Sequence, residues 1–293
     1  MDIKLYHLKG NTYYISGKTN IGLYVLNERR DVCLIDTCDS DDAEKVASIL
    51  KENNFNVTHI IFTHSHADHT GAAKYLASIY NPIMIASKVE RAFFADSKLD
   101  IGFLYGGYPL DEYDGKLMHT DENREIHSLD MIPEGLRSFK LPGHHYGMIG
   151  IRTSDDIYFI ADTLGSIHLV DRQHILLIYD VKGYLESLNY VESLDGKIVV
   201  PSHSEVTENI KPIVEFNRNK INEIMALLLD FLKDEHNCVE CTQYIFDHYK
   251  LKISYNKYML ILSTVRSYLS YLSNNKYIIN YFKDNRLLFK NEK

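Results

Sequence analysis

The sequence predicts an α+β architecture: a layered domain with helices outside a sheet, then a small helical unit closed by a hairpin. Three observations point there. Short apolar runs separated by turn residues open the chain. Between residues 32 and 95, strand-like runs alternate with helical faces. Past Asn209 helical spacing takes over until two last strand-like runs.

Residues 3–8, 12–16 and 22–27 read as three strands, parted by Gly10-Asn11 and Gly17-Lys18-Thr19-Asn20. Residues 32–35 form a fourth, ending at Asp36. Ala43, Val46, Ala47 and Leu50 share one face at helical spacing. The apolar run His59-Ile60-Ile61-Phe62 is a short buried strand, and Ala72 to Ala77 begins a helix. Residues 82–86 and 87–95 read as strand and helix. Residues 96–127 are irregular and carry Phe103-Leu104-Tyr105-Gly106-Gly107-Tyr108-Pro109. Long irregular segments are often binding loops, so Tyr105, Tyr108 and Tyr146 are candidate walls of a substrate pocket; packing of the loop onto the core is the other reading. Strands follow at 136–141, 149–152, 157–160 and 198–200. Past Asn209, Ile221, Ile224, Met225, Leu228, Phe231 and Leu232 mark one helix, Tyr244, Ile245 and Tyr249 a second, and Tyr258, Leu262, Val265, Leu269 and Leu272 a third. Residues 277–282 and 287–290 flank a turn. Helices and then a hairpin predict a winged-helix-like domain over 210–293, after a first domain over 1–209.

Between the strand and helix around residue 66 stands Thr63-His64-Ser65-His66-Ala67-Asp68-His69-Thr70-Gly71. Three imidazoles and a carboxylate fall within six residues. Such donors suit zinc, iron or manganese, and no thiolate stands nearby for a closed structural zinc site. His64 and His66, two apart in extended chain, can aim one way; Asp68 and His69, on the turn, can aim at a second point. Three more strands end at a candidate donor: Pro142-Gly143-His144, Ala161-Asp162 and Ser202-His203. Strand ends along one sheet edge are a common place for ligands to converge. Asp36 ends its strand in the same way and is either an acceptor behind the metal loop or a turn residue.

The 293 residues are 45% apolar, enough for a sizeable core. No run of about 18 apolar residues suggests a membrane span. Met1 to Tyr6 lacks a basic-then-apolar leader, and Cys33, Cys38, Cys238 and Cys241 are too few for a disulfide framework, so the expectation is a reduced, cytoplasmic protein. Cys238-Val239-Glu240-Cys241 has no second pair to complete a zinc site and reads as incidental. Residues 1–209 carry 19 Lys and Arg against 31 Asp and Glu, a balance of −12, while residues 210–293 carry 13 against 9, or +4. An acidic body disfavours RNA or another polyanion as substrate.

The set His64-x-His66-x-Asp68-His69, Pro142-Gly143-His144, Ala161-Asp162 and Ser202-His203, with Asp36 before it, resembles the metallo-β-lactamase superfamily over roughly residues 1–208. The terminal helices and hairpin, and Leu104-Tyr105-Gly106-Gly107, resemble the branch containing the lactamase-β-like protein 2 group. The resemblance implies a four-layer αβ/βα sandwich with two metal ions, zinc first and iron or manganese as alternatives, at one sheet edge. His64, His66 and His144 would hold one ion, Asp68, His69 and His203 the other, and Asp162 both. Two departures stand out: Ala161 occupies a position where the family often has glycine, and His145-Tyr146 stands where many members have threonine and proline. His145 therefore competes with His144 as ligand, and the Pro-Gly-His match favours His144.

The function this implies is metal-dependent hydrolysis of a small ester, thioester or lactone, with Asp68 as the catalytic carboxylate that handles the proton. Two dications about 3.5–4 Å apart share a water and lower its pKa, making the hydroxide that attacks. The alternatives are a single-stranded RNA endoribonuclease on the same fold, an iron-dependent oxidoreductase, and a winged-helix DNA-binding regulator. The oxidoreductase members usually carry Glu at the place of His66 and a flavodoxin-like domain not seen here, and a regulator has no use for seven ligands.

Overall fold

The structure is a computed structural model that describes residues 3–96, 98–113 and 125–292; expectations touching Met1, Asp2 and residues 114–124 lie outside it. Strands β1 (Lys4–Lys9), β2 (Thr12–Ser16), β3 (Ile21–Val25) and β4 (Asp31–Ile35) form the expected antiparallel meander. Helix α1 (Ala43–Glu52) buries the four residues its spacing singled out, Ala43, Val46, Ala47 and Leu50. It returns the chain to β5 (Asn56–Ile61), parallel to β4. After the short α2 (Ala67–Thr70) and α3 (Ala73–Tyr80) come β6 (Ile83–Ile85), α4 (Lys88–Ala95), α5 (Lys98–Tyr105) and β7 (Ile126–His127). The seven strands make one sheet in chain order.

A second sheet holds β8 (Leu136–Lys140), β9 (Ile149–Thr153), β10 (Ile157–Phe159) and β11 (Ile198–Val200), in the order β11-β10-β9-β8. Helices α6 (Ile167–Gln173) and α7 (Val181–Glu192) lie between β10 and β11 in the chain. Then follow α8 (Lys211–Phe231), α9 (Cys238–His248), α10 (Tyr255–Asn274) and the hairpin of β12 (Ile279–Lys283) and β13 (Arg286–Lys290).

Strand alternation builds the layers, because successive side chains leave opposite faces of a sheet. Val32 and Leu34 join Val46, Leu50 and Leu76 in a core under α1 and α3. Cys33, Ile35 and Ile61 turn the other way, onto Ile151, Ile157 and Phe159 of the second sheet. Tyr158, Ile160 and Val199 face away again, onto Tyr184, Leu188 and Val191 of α7. The result is helix, sheet, sheet, helix, the four-layer sandwich expected.

The last core runs without a break across Asn209. It takes in Val214, Ile221, Ile224, Val265, Tyr268 and Ile278. Ser267 donates its hydroxyl to the Tyr179 carbonyl at 2.9 Å, and the Ile178 N–H donates to Thr264 Oγ1 at 3.3 Å. The terminal helices are therefore built onto the sandwich layers by shared packing. Among the described residues no helix is long and apolar enough to cross a membrane.

Candidate metal centre

The candidate residues gather because their strands point one way. β4 and β5 run parallel, and β8 and β10 both run antiparallel to β9, with β11 parallel to β10. Each carboxyl end then delivers its loop to one edge: Asp36, His64 to His69, His144, Asp162 and His203. The Ile149 N–H donates to the Thr63 carbonyl at 3.1 Å and pins the two sheets together there. Gly143 has φ +127°, and a Cβ on it would lie 2.3 Å from the Tyr184 backbone. Only glycine lets the His144 turn seat so closely on α7.

Among the described residues two groups of donors line this edge, and a third, His66, Asp100 and His145, lies behind the first. His64, His66 and His144 form a trio, and Asp68, His69, Asp162 and His203 a quartet; within each, the ligand atoms lie within 4.8 Å of one another. In the trio, His66 Nδ1 stands 3.0 Å from His64 Nε2 and 3.1 Å from His144 Nε2. The protons can be placed from the partners. The Thr63 hydroxyl donates to Asp36 at 2.7 Å, so at 3.1 Å it can only accept from His64 Nδ1. His144 Nδ1 donates to the Leu177 carbonyl at 3.1 Å. The facing Nε2 atoms of both rings are therefore bare lone pairs. Burial, helped by the neighbouring His69 and His66, pushes His64 well below its ordinary pKa. Burial and then His144 push His66 down to about 3, and burial also lowers His144. A proton on His66 Nδ1 can satisfy only one of the two bare lone pairs at a time, whereas a cation accepts all three nitrogens at once. That is the fit of this site to a metal ion.

The quartet is charged. His69 Nδ1 donates to Asp36 Oδ2 at 2.8 Å, and His203 Nδ1 to the Lys18 carbonyl at 2.8 Å. Their Nε2 atoms face carboxylates: His203 stands 3.2 Å from both Asp68 and Asp162, and His69 stands 3.1 Å from Asp162 Oδ1. The last two atoms are buried and within ion-pair distance yet lack hydrogen-bond geometry. Burial opposes charge throughout, but the partners outweigh it. Asp162 and Asp68 hold the imidazole of His203 up to about 10. Asp162, Asp68 and Asp36 hold His69 well above its ordinary value. His203 and His69 in turn keep Asp162 far below the carboxylate range, and His69 leads in lowering Asp68.

Asp162 joins the groups: its Oδ2 also lies 3.5 Å from His144 Nε2. The residue before it, Ala161, has φ +49°. That left-handed conformation suits glycine, which explains in this chain why glycine is the easier residue there. Asp36 is buried and has turn geometry, but its oxygens accept from the Thr63 backbone, the Thr63 hydroxyl and His69. Asp68 caps neither short helix; no side-chain cap bond forms on α2 or α3.

His145 belongs to neither the trio nor the quartet but to the third group, with His66 and Asp100. It is buried between Glu90, 2.6 Å from its Nδ1, and Asp100, 3.5 Å from its Nε2. Burial opposes its charge, but these two carboxylates raise it to about 9. Glu90 also accepts the Ser65 and Gly147 backbone N–H groups at 2.9 and 2.8 Å. Sequence reasoning missed Glu90, Asp100 and Tyr179. The pattern Ser87-x-x-Glu90 looks like a helix cap, and Asp100 lies in the stretch read as irregular. The signal available was the second histidine after His144.

Of the aromatic candidates, Tyr146 packs on Phe103 and Tyr179 with ring centroids 5.1 and 5.3 Å away. These rings line a cleft of about 500 Å³ between α5 and α10. Tyr105 and Tyr108 are not among its lining residues, and Tyr108 is 78% exposed beneath Lys98. Cys238 and Cys241 begin α9, and among the described residues neither falls in a donor group.

Residues 16–203 match the sequence family described as the metallo-beta-lactamase superfamily. The chain is 31% identical over 128 residues to glyoxylase B2 of Dictyostelium discoideum, covering 42% of this chain and 41% of that protein. It is 24% identical over 186 residues to an atrochrysone carboxyl ACP thioesterase of Aspergillus fumigatus, covering 62% and 50%. It is 25% identical over 189 residues to the hydroxyacylglutathione hydrolase GloC of Haemophilus influenzae, covering 62% and 84%. The chain thus spans half or less of the first two relatives. Among solved structures, a beta-lactamase domain protein from Burkholderia ambifaria superposes with a TM-score of 0.74 at 14% identity, covering 98% of this chain and 93% of that one. That likeness is one of fold.

Proposed function

Since the chain belongs to the metallo-beta-lactamase superfamily, we propose that it is a hydrolase working with two divalent ions, zinc first, on a small thioester, ester or lactone. The observation that carries this reading is Asp162, whose two oxygens face His69 at 3.1 Å on one side and His144 at 3.5 Å on the other. In this reading His64, His66 and His144 hold one ion, Asp68, His69 and His203 hold the second, and Asp162 serves both. When bound, the ions supply Lewis-acid polarisation of the substrate carbonyl and lower the pKa of water toward neutrality.

The chain's own groups do the rest. Asp68 is the proton acceptor: its carboxylate is kept ionised by His69 and His203, and it lies on the less buried side of the quartet. Asp36 and the Lys18 carbonyl fix the ring orientation of His69 and His203 through their Nδ1 protons. The cleft of Phe103, Tyr146 and Tyr179 offers aromatic faces beside polar groups such as Asp180 and Arg266, a mixed surface for an acyl group and its carrier. Thioesters come first because one relative is named a thioesterase and another a hydrolase of acylated glutathione. Residues 210–293 are read as a winged-helix-like domain that walls the substrate side, since α10 lines the cleft through Ser267 and Tyr271.

Two measurements test the proposal together. Elemental analysis of the replete protein should give about two ions per chain. The same protein should hydrolyse members of a panel of S-acyl glutathiones, carrier-bound thioesters and lactones and leave single-stranded RNA intact. A stoichiometry that never exceeds one under excess zinc, iron or manganese sinks the two-ion reading. Cleavage of RNA alone moves the function to the endoribonuclease alternative.

A further inference from the structure

Four of the five histidines in the trio and the quartet have their outward nitrogen anchored. His64 is held by Thr63, His69 by Asp36, His144 by the Leu177 carbonyl and His203 by the Lys18 carbonyl. His66 is the exception. Its outward Nε2 is buried without a hydrogen-bond partner and faces Asp100 Oδ2 at 3.9 Å. That oxygen is itself buried and without a hydrogen-bond partner. We propose that Asp100 is the positioning residue for His66: its carboxylate fixes the Nε2–H tautomer and so presents the bare Nδ1 to the donor trio. The inference rests on reading His66 as a metal ligand.

The surroundings leave Asp100 no other task for that oxygen. Its Oδ1 accepts the Tyr179 hydroxyl at 3.0 Å and faces His145 Nε2 at 3.5 Å. His145 is in turn held by Glu90 at 2.6 Å, which ties the ring between the two carboxylates. Glu90 grips Ser65 and Gly147, the backbone beside His66 and just past His145. The gap of 3.9 Å is an ion-pair separation, longer than a hydrogen bond, and a shift of about 1 Å would satisfy both orphaned atoms. Because Asp100 is carried by α5, the trio is complete only when α5 lies against it.

The test reads the tautomer directly. Nitrogen-15 NMR of the metal-free protein should show the Nε2–H form of His66 populated against the Nδ1–H form that its contacts with His64 and His144 favour, with the Nε2–H share falling in Asp100→Ala. Zinc affinity measured by chelator competition should fall about 10- to 100-fold for the first equivalent in Asp100→Ala, less in Asp100→Asn, which keeps an acceptor oxygen, with the second equivalent unchanged. If Asp100→Ala does not fold, Tyr179→Phe, which removes a hydrogen bond to Asp100, should show a few-fold loss in the same equivalent. His66 found wholly as Nδ1–H in the wild-type protein, or with the same tautomer balance in Asp100→Ala, overturns the inference, as does unchanged zinc affinity in the variant that folds. A third zinc equivalent that vanishes in Asp100→Ala overturns it too, since Asp100 would then be a ligand. A wild-type protein that takes up fewer than two ions counts against the hydrolase reading alone, because the tautomer is measured without metal.

Discussion

The trio and the quartet sit on the same sheet edge and share Asp162 as neighbour, yet they hold their donors in opposite ways. The trio is three imidazoles kept neutral by burial. The quartet is two carboxylates and two imidazoles kept charged by one another. A cation entering the trio replaces the hydrogen bonding of His66 Nδ1 and releases no proton to solvent, since all three rings are already neutral. A cation entering the quartet must take the place of the protons on His69 and His203. One fold edge thus carries a site ready for an ion and a site that exchanges protons for one.

The largest effect should come from Asp68→Asn, which strikes the quartet alone. The substitution keeps the size and one acceptor oxygen but removes the charge. Turnover should fall by about a hundred- to ten-thousand-fold, the usual worth of a general base, with the second ion weakened and the first retained. His64→Ala should do the reverse, emptying the first position. Near wild-type turnover with a full metal complement in Asp68→Asn would dissolve the contrast.

Proton exchange sharpens the comparison next. With His203 protonated up to about 10, zinc affinity of the quartet should rise roughly tenfold per pH unit for each proton released between pH 7 and 9. Over the same range the trio should show no slope, because His66 is already neutral above about 3. Chelator titrations at several pH values distinguish the two; equal slopes break the comparison.

Stability of the metal-free protein should carry the same signature with smaller amplitude. His203 has a raised pKa, so its contribution is fully present below about 6.5, the ordinary histidine value, and fades as pH climbs through about 10. His66 has a lowered pKa, so its contribution is present above about 6.5 and fades as pH falls toward about 3. Denaturant melts of the metal-free chain should weaken in both directions from near neutrality, and added zinc should flatten the alkaline side first, because the quartet binds it more tightly as pH rises.

The smallest expected change is Ala161→Gly. Relief of a left-handed alanine is worth about 1–2 kcal/mol, while loss of its buried methyl costs about 0.8 kcal/mol. The net should be a gain of up to about 1 kcal/mol, read as a small rise in melting temperature.

Much of this edge was legible before any coordinates, for local reasons. The histidine motif, Gly143 before His144, and the strand ends at Asp162 and His203 each announce themselves within a few residues. The four buried positions of α1 follow from spacing alone. What stayed hidden depends on distance along the chain. Glu90 reaches Ser65, 25 positions away, and His145, 55 away. Its local setting after Ser87 looks like a helix cap and hides that reach. Helix α5 was obscured by its glycine and aromatic content, which reads as loop although Ile101 and Leu104 are buried. The face of α7, with Val181, Tyr184, Leu188 and Val191 buried, has clear helical spacing, but its role as the seat of the Gly143 turn needs the third dimension. The division at Asn209 follows the change in composition and charge, while packing continues across it.

The shared core has a consequence for how the protein is made. All the candidate ligands lie at or before residue 203, whereas Tyr268, which packs in one core with Tyr184 of α7, arrives more than sixty residues later. A chain leaving the ribosome N-terminus first therefore exposes its whole set of donors before α10, which packs behind the α7 seat of the His144 turn, has been synthesised. Metal met during translation finds loose donors, and metal met after release finds a finished edge, so the accuracy of loading depends on when the ion arrives as well as on which ion it is.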